Sequence, residues 1–280
     1  MRGSSVGDPP CVRLEALEVP FEIACTGSGA PDLARSVAAA WDWCTVDAPY
    51  DGDLACVQQL TVVLEQDAEE LARMSAGSSL FARDLPTLMD RLSPMVTRVA
   101  VNERRRDLVM FHACALADPV SGDAVVLYGP SGTGKTTLAR TLCTDFVYLS
   151  DETAGVAPDL RVVPYLKPLS IILNQGDTLK EQVSPGRLGL ARPEGVPYRL
   201  RALIQLRRDP AHEGVATLDS LSTVDALPEL VAQTSYSRDF ERPLHHLADL
   251  AHRVGGVRRA TYSEAEQLRP VIRAILDGDA

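Results

Sequence analysis

Gly129-Pro130-Ser131-Gly132-Thr133-Gly134-Lys135-Thr136-Thr137 is the stretch that decides how the rest of this chain is read. It fits the phosphate-loop pattern G-x-x-x-x-G-K-[ST] at every fixed position. Ala124-Val125-Val126-Leu127-Tyr128 leads into it as an apolar, buried strand, and Thr137-Leu138-Ala139-Arg140-Thr141-Leu142 leads away as a helix. That is the strand–loop–helix setting the pattern requires. Three glycines let successive backbone N–H groups turn inward, and the helix N-terminus adds partial positive charge, so the loop can cradle phosphate oxygens. Gly129 and the run from Ser131 to Thr137 are the candidate nucleotide-binding residues. Lys135 would reach the β- and γ-phosphates, and the Thr136 hydroxyl would ligate Mg²⁺. A Gly-rich turn with a chance lysine is the bland alternative.

Outward from the loop, two flanking segments carry chemistry. Before it, Leu108-Val109-Met110-Phe111-His112-Ala113-Cys114-Ala115-Leu116 reads as a strand with one histidine. After it comes Phe146-Val147-Tyr148-Leu149-Ser150-Asp151-Glu152, an apolar strand ending in two acids. An acid at the end of such a strand, one helix beyond a phosphate loop, suits a Mg²⁺-positioning or catalytic group. Ordinary turn chemistry is the other reading of the pair, and a histidine packed in a strand core is the other reading of His112.

Farther on, Thr153–Ala157, Arg161–Leu166 and Ser170–Leu173 read as strands joined by turns. A doubly wound nucleotide fold would alternate strand and helix here, so the sheet is expected to be mixed or antiparallel. Gln175–Pro197, rich in Gly and Pro, reads as a mobile loop and substrate lid, with one helical turn at Leu179–Val183. Leu200–Leu206 is a strand, Asp225–Gln233 a helix, and Arg242–Val254 a helix burying Leu244, Leu247, Leu250 and Ala251. Val257–Tyr262 is a final strand. Ser263-Glu264-Ala265-Glu266 fits a capping box that opens a closing helix to Leu276, kinked at Pro270.

The first part, residues 1–105, has no catalytic pattern. It reads as a disordered tail to about residue 10, then strand over Val12–Ala24 interrupted by Pro20, and a helix capped by Asp32 and running to Trp41. A loop over Asp47–Asp53 and a strand at Leu60–Leu64 follow. Ala68–Ala76 gives no clear pattern, and a helix from near Asp84 towards Val101 is bent or split at Pro94. Trp41 and Trp43 read as core or interface anchors. This N-terminal α+β region would end at the Arg104-Arg105-Arg106 turn, leaving 106–280 as the catalytic domain.

Composition narrows the classes. An apolar share of 45% over 280 residues is ample for a core. A net charge of −10 argues against nucleic acid as a partner. No apolar run reaches membrane-spanning length, and the first ten residues hold no apolar core, so a cytoplasmic protein without a membrane partner is expected. Six scattered cysteines include no C-x-x-C pair, so reduced and mostly buried thiols are expected.

Phe111-His112, the Gly129–Thr137 loop and Leu149-Ser150-Asp151-Glu152 together resemble the HPr kinase/phosphorylase family and its shorter relatives, including the peptide-tailoring kinases of lasso-peptide clusters. The resemblance covers residues 108–276 and includes the 16-residue step from Lys135 to Asp151. It implies an α/β fold: a P-loop kinase core with a mixed sheet, related to phosphoenolpyruvate carboxykinase. It also implies transfer of a phosphoryl group from ATP, with Mg²⁺, to a serine-type hydroxyl on a peptide or protein. By the resemblance Asp151 is the base, His112 orients or tunes it, and Glu152 helps Thr136 and Asp151 hold Mg²⁺. Lys135 completes the catalytic set; Lys167, Arg238 and Arg253 are weaker candidates for a phosphate contact. Glu152 stands where HPr kinases have aspartate, the signature after their second acid is absent, and the first hundred residues differ, so HPr itself is not implied as the substrate. A kinase of free serine or another small alcohol and a non-catalytic nucleotide-binding module are the competing readings. A homo-oligomer is left open.

Overall fold

A computed structural model describes residues 9–47, 56–172 and 178–279. The tail through residue 8, most of the Asp47–Asp53 loop, Leu173 and the start of the expected lid lie outside these residues. In chain order the first elements are β1 (Cys11–Ala16), β2 (Val19–Thr26), α1 (Ala30–Ala40), β3 (Gln58–Leu64), α2 (Ala68–Met74), β4 (Leu80–Ala82) and α3 (Leu85–Glu103). Then come β5 (Val109–Ala117), β6 (Asp123–Tyr128), α4 (Lys135–Leu142), β7 (Val147–Ser150), β8 (Thr153–Val156) and β9 (Val162–Val163). The rest are β10 (Leu169–Ile171), β11 (Glu181–Val183), β12 (Arg199–Arg208), β13 (Thr217–Leu221), α5 (Thr223–Ala232), β14 (Thr234–Ser235), α6 (Pro243–Arg253), β15 (Val257–Tyr262) and α7 (Arg269–Asp277). Two compact units divide the chain: residues 1–100 with 167–184, and residues 101–166 with 185–280.

The first unit holds a four-stranded sheet in the order β1-β2-β3-β4, antiparallel at β1–β2 and parallel beyond. The break between β1 and β2 falls at Leu17-Glu18, both at positive φ, and not at Pro20 as the sequence suggested. Pro20 precedes the first β2–β3 pair, Phe21 with Gln58, so its missing N–H costs that ladder nothing. α1 likewise starts earlier than expected. Gly29 is its N-cap and Asp32 lies in its first turn, because Pro31 is well tolerated there. α2 occupies the stretch without a clear pattern; Asp67 caps it by accepting from the N–H groups of Glu69 and Glu70. α3 runs unbroken through Pro94, its Leu88, Leu92, Val96 and Ala100 fully buried on one face. That burial outweighs the roughly 3 kcal/mol an interior proline costs. β10 and β11 pair as an antiparallel hairpin, so Glu181–Val183 is strand where a helical turn was expected. Ser170 Oγ donates to Gln182 across the hairpin, and Ser184 Oγ donates to Asp42 at 2.6 Å.

The second unit is built on a nine-stranded mixed sheet whose main path is β13-β15-β12-β6-β5-β8-β9, with β7 and β14 also paired to β5. β15, β12 and β6 are parallel, and the other pairs are antiparallel, as the turn-linked strands foretold. One face packs on α5 and α6 through Phe111, Val126, Leu203, Leu230, Leu247 and Leu250. Leu244 is exposed, so it does not share the buried α6 stripe it was assigned to. The capping box at the last turn is formed by Glu264 and Gln267, one residue later than Ser263 and Glu266, and it opens a 3-10 turn. Pro270 sits in the first turn of α7 and kinks nothing. The expected lid is partly tied down: Gly186–Leu188 is a 3-10 turn, and the Ala191 backbone bonds Cys143 and Tyr148. Of the cysteines, Cys25, Cys44, Cys114 and Cys143 are buried, and all six are thiols. No helix among the described residues is long and apolar enough to cross a membrane.

Candidate active site

β6 delivers the chain into the loop, and α4 begins at Lys135 with Gly134 as its N-cap. Gly132 and Gly134 both have φ near +90°, a conformation that side chains with a Cβ rarely hold. Gly129 is constrained differently: a Cβ there would meet the Leu206 carbonyl of β12 at 3.2 Å. Lys135 curls over the loop, its Nζ donating to the carbonyls of Gly129 at 2.7 Å and Pro130 at 3.2 Å. Burial lowers the Lys135 pKa, opposed by Cys114, Glu152, Glu229 and Asp151. From β15, the Tyr262 hydroxyl donates to the Thr133 carbonyl at 2.6 Å and pins the tip of the loop.

The acids come to the loop by a fault in the sheet. β7 and β8 run consecutively along β5, both antiparallel to it. Leu116 pairs with Tyr148 but Ala115 pairs with Ser150, so Leu149 is an extra residue on that side. Without the bulge, Tyr148 and Asp151 would alternate to opposite faces. With it, Tyr148 and Asp151 share the face of Leu116, Cys114 and His112. The Tyr148 hydroxyl accordingly donates to Asp151 Oδ1 at 3.1 Å. Thr136 Oγ1, in the first turn of α4, donates to Asp151 Oδ2 at 3.0 Å. Asp151 is only 3% exposed, so both oxygens are held in a sheltered spot. Burial and the neighbouring Asp151 charge push the Tyr148 pKa well up, which keeps the hydroxyl protonated as a donor.

Glu152 is half-buried; its carbonyl accepts from Ala113 N and its own N–H donates to Ser150 Oγ. His112 pairs with Thr153 in the ladder and is half-buried. Burial depresses its pKa, Lys135 adds to that, and Glu152 and Asp151 oppose it. Those influences put His112 in the same electrostatic neighbourhood as Lys135, Glu152 and Asp151. Thr137 follows Thr136 on α4, and Ser131 is exposed at the loop tip. Arg253 lies elsewhere, its Nη1 donating to the Pro158 carbonyl. Arg238 is exposed in a 3-10 turn, and Lys167 belongs to the first unit, its Nζ donating to the Pro168 carbonyl.

Among the described residues no group of three His, Cys, Asp or Glu side chains forms a ready metal cage. A Mg²⁺ ion needs less from the protein, since it keeps several waters and takes one or two side-chain oxygens plus phosphates. Thr136 Oγ1 and Asp151 Oδ2, already 3.0 Å apart, are a donor set of that kind. The α4 N-terminus and the Lys135 ammonium favour an anion beside them. Sequence reasoning missed Tyr148 and Tyr262. Tyr148 lies in an apolar run that reads as core, and nothing in the residues announces the bulge that turns it towards Asp151.

No family model matches the chain, and no curated protein sequence matches it. Among solved structures, the Hpr(Ser) kinase/phosphatase from Coxiella burnetii is similar at 12% identity, over 60% of this chain and 94% of that one, with a TM-score of 0.30. A likeness this slight carries no weight for fold or activity, and the functional reading rests on the site's own geometry.

Proposed function

We propose that this chain is a phosphotransferase that binds ATP at the Gly129–Thr137 loop and transfers a phosphoryl group to a serine-type hydroxyl, with a peptide or protein as acceptor. The observation that carries the reading is the joining of Thr136 and Asp151 at 3.0 Å, which brings the loop's hydroxyl and a strand-end carboxylate to one point. In this reading the loop N–H groups and Lys135 hold the phosphates. Mg²⁺, when bound beside Thr136 and Asp151, would neutralise phosphate charge. Asp151 accepts the acceptor hydroxyl's proton, and Tyr148 fixes the carboxylate's orientation. His112 and Glu152 shape the field around it. Phosphoryl transfer asks for positioning and charge neutralisation more than covalent help, and these groups supply both.

The test is mass spectrometry of acceptors incubated with ATP and Mg²⁺, using wild type and Asp151→Asn in parallel. Serine-containing peptides and free serine are offered separately. A gain of about 80 Da on a peptide, reduced at least roughly a hundredfold in the variant while ATP binding persists, is the expected result. Full activity in Asp151→Asn removes that residue from the role of base. Gain on free serine alone makes the enzyme a small-molecule kinase. ATP binding with no transfer to any acceptor leaves a nucleotide-binding module.

A further inference from the structure

At the end of the nine-stranded sheet away from the loop lies a cavity of about 350 Å³. β6 starts beside it at Asp123, paired with Arg199, and finishes at Tyr128, next to Gly129. Five steps of about 3.3 Å separate those two strand ends by about 17 Å. Four arginines line the cavity: Arg199 and Arg201 from the start of β12, Arg253 from the last turn of α6, and Arg258 from β15. Asp123 is the one acid in the lining, and Leu160, Leu200, Val254 and Ile275 supply apolar wall.

Arg258 has a partner within the fold, and the other three arginines are only partly accounted for. Arg199 Nη2 donates to the Asp159 carbonyl at 3.1 Å, and Arg253 Nη1 donates to the Pro158 carbonyl at 2.7 Å. Each thereby steadies the turn between β8 and β9 and keeps further N–H groups. The exposed Arg201 side chain makes no hydrogen bond or ion pair among the described residues, and its Nη2 lies beside Gly278, which sits between Asp277 and Asp279. Gathering like charges costs stability unless something opposite in sign offsets it. The chain carries 38 acids against 28 lysines and arginines, yet sets one acid here. Guanidinium forks match carboxylate and phosphate groups two bonds at a time. A volume of about 350 Å³ lies in the range of small-molecule sites.

We propose that this cavity binds a small organic polyanion, a compact molecule carrying two or more carboxylate or phosphate groups. The site is separate from the loop and does not depend on the phosphotransfer reading. The experiment is calorimetric titration of the full chain carrying Lys135→Ala, which weakens anion binding at the loop. Citrate and inorganic pyrophosphate are the probes, with sodium chloride at matched ionic strength as the control. Saturable binding of either probe is expected, and the probe that binds identifies a carboxylate or a phosphate ligand. Adding Arg201→Ala should weaken it about tenfold, and Arg201→Lys by less, because lysine keeps the charge and loses the fork. The Arg201 side chain is exposed and carries no hydrogen bond or ion pair among the described residues, so the melting temperature of either variant should change little. Absence of saturable binding by both probes, or unchanged affinity after Arg201→Ala, overturns the proposal.

Discussion

Removing one oxygen, by Tyr148→Phe, strips Asp151 Oδ1 of the donor that holds it at 3.1 Å. The carboxylate keeps its bond from Thr136 but gains freedom to turn. We expect kcat to fall about tenfold with the nucleotide KM little changed, since orientation at the reacting centre is lost and phosphate binding is not. Steady-state kinetics beside a thermal melt separates that outcome from simple unfolding. His112 gives a pH signature. Its folded pKa lies below the ordinary 6.5, chiefly from burial. Between the two values the unfolded chain holds more protons, so stability rises with pH there. The His112 contribution is therefore complete above about pH 6.5 and is lost as pH falls through the folded value. Urea melts at a series of pH values should show a smaller acid-side loss in His112→Gln than in wild type. At this scale the sequence disclosed the loop because its chemistry demands fixed residues at fixed spacing. It pointed to Asp151 and Glu152 through their place at a strand end, and the structure brings Asp151 to Thr136. It could not disclose Tyr148, whose place beside Asp151 comes from one extra residue, Leu149, in a strand register.

The turn that carries β2 into α1 is as constrained as the loop before α4. Gly27 has φ +91°, and a Cβ on it would lie 2.3 Å from the Leu64 carbonyl oxygen. Gly27→Ala should cost on the order of 2–3 kcal/mol, read as a lower urea midpoint with an unchanged slope. Asp67→Ala, which removes the side chain accepting from Glu69 N and Glu70 N, should cost about 1 kcal/mol by the same measurement. Long apolar elements such as β5 and β6 were legible because burial on both faces leaves a nearly unbroken apolar run, and β12 through the partial alternation of Leu200–Leu206. β13 was not, since Thr217–Leu221 is a largely exposed edge strand holding Asp219 and Ser220. Two helix starts were misread at a proline in the first turn, whereas the start of α6 at Pro243 was read correctly. Pro31 and Pro270 look like breakers in a sequence, yet a first turn has no N–H bond for them to remove.

The mixed sheet of the second unit followed from strands joined by turns, which no doubly wound fold would place after a phosphate loop. The membership of 167–184 did not follow, because a short hairpin carries no mark of the sheet or helices it will join. That hairpin belongs with residues 1–100, tied there by Ser184 to Asp42 and by Lys180 N to Asp90. A fragment of residues 1–100 should consequently melt earlier and less cooperatively than one in which 167–184 is attached through a flexible linker. Circular dichroism on the two fragments checks this, and equal melting curves would count against the division. The hairpin also sets a timetable for synthesis. The first unit is incomplete when residue 100 leaves the ribosome, and it waits for the eighty-four residues from 101 to 184. At about 5–20 residues per second that is a delay of roughly 4–17 seconds, during which about two fifths of the second unit is already in the open. Strict domain-by-domain folding from the N-terminus does not suit this chain, and its nascent form must keep the four-stranded sheet soluble without the hairpin that completes the first unit, while the second unit's sheet is being made.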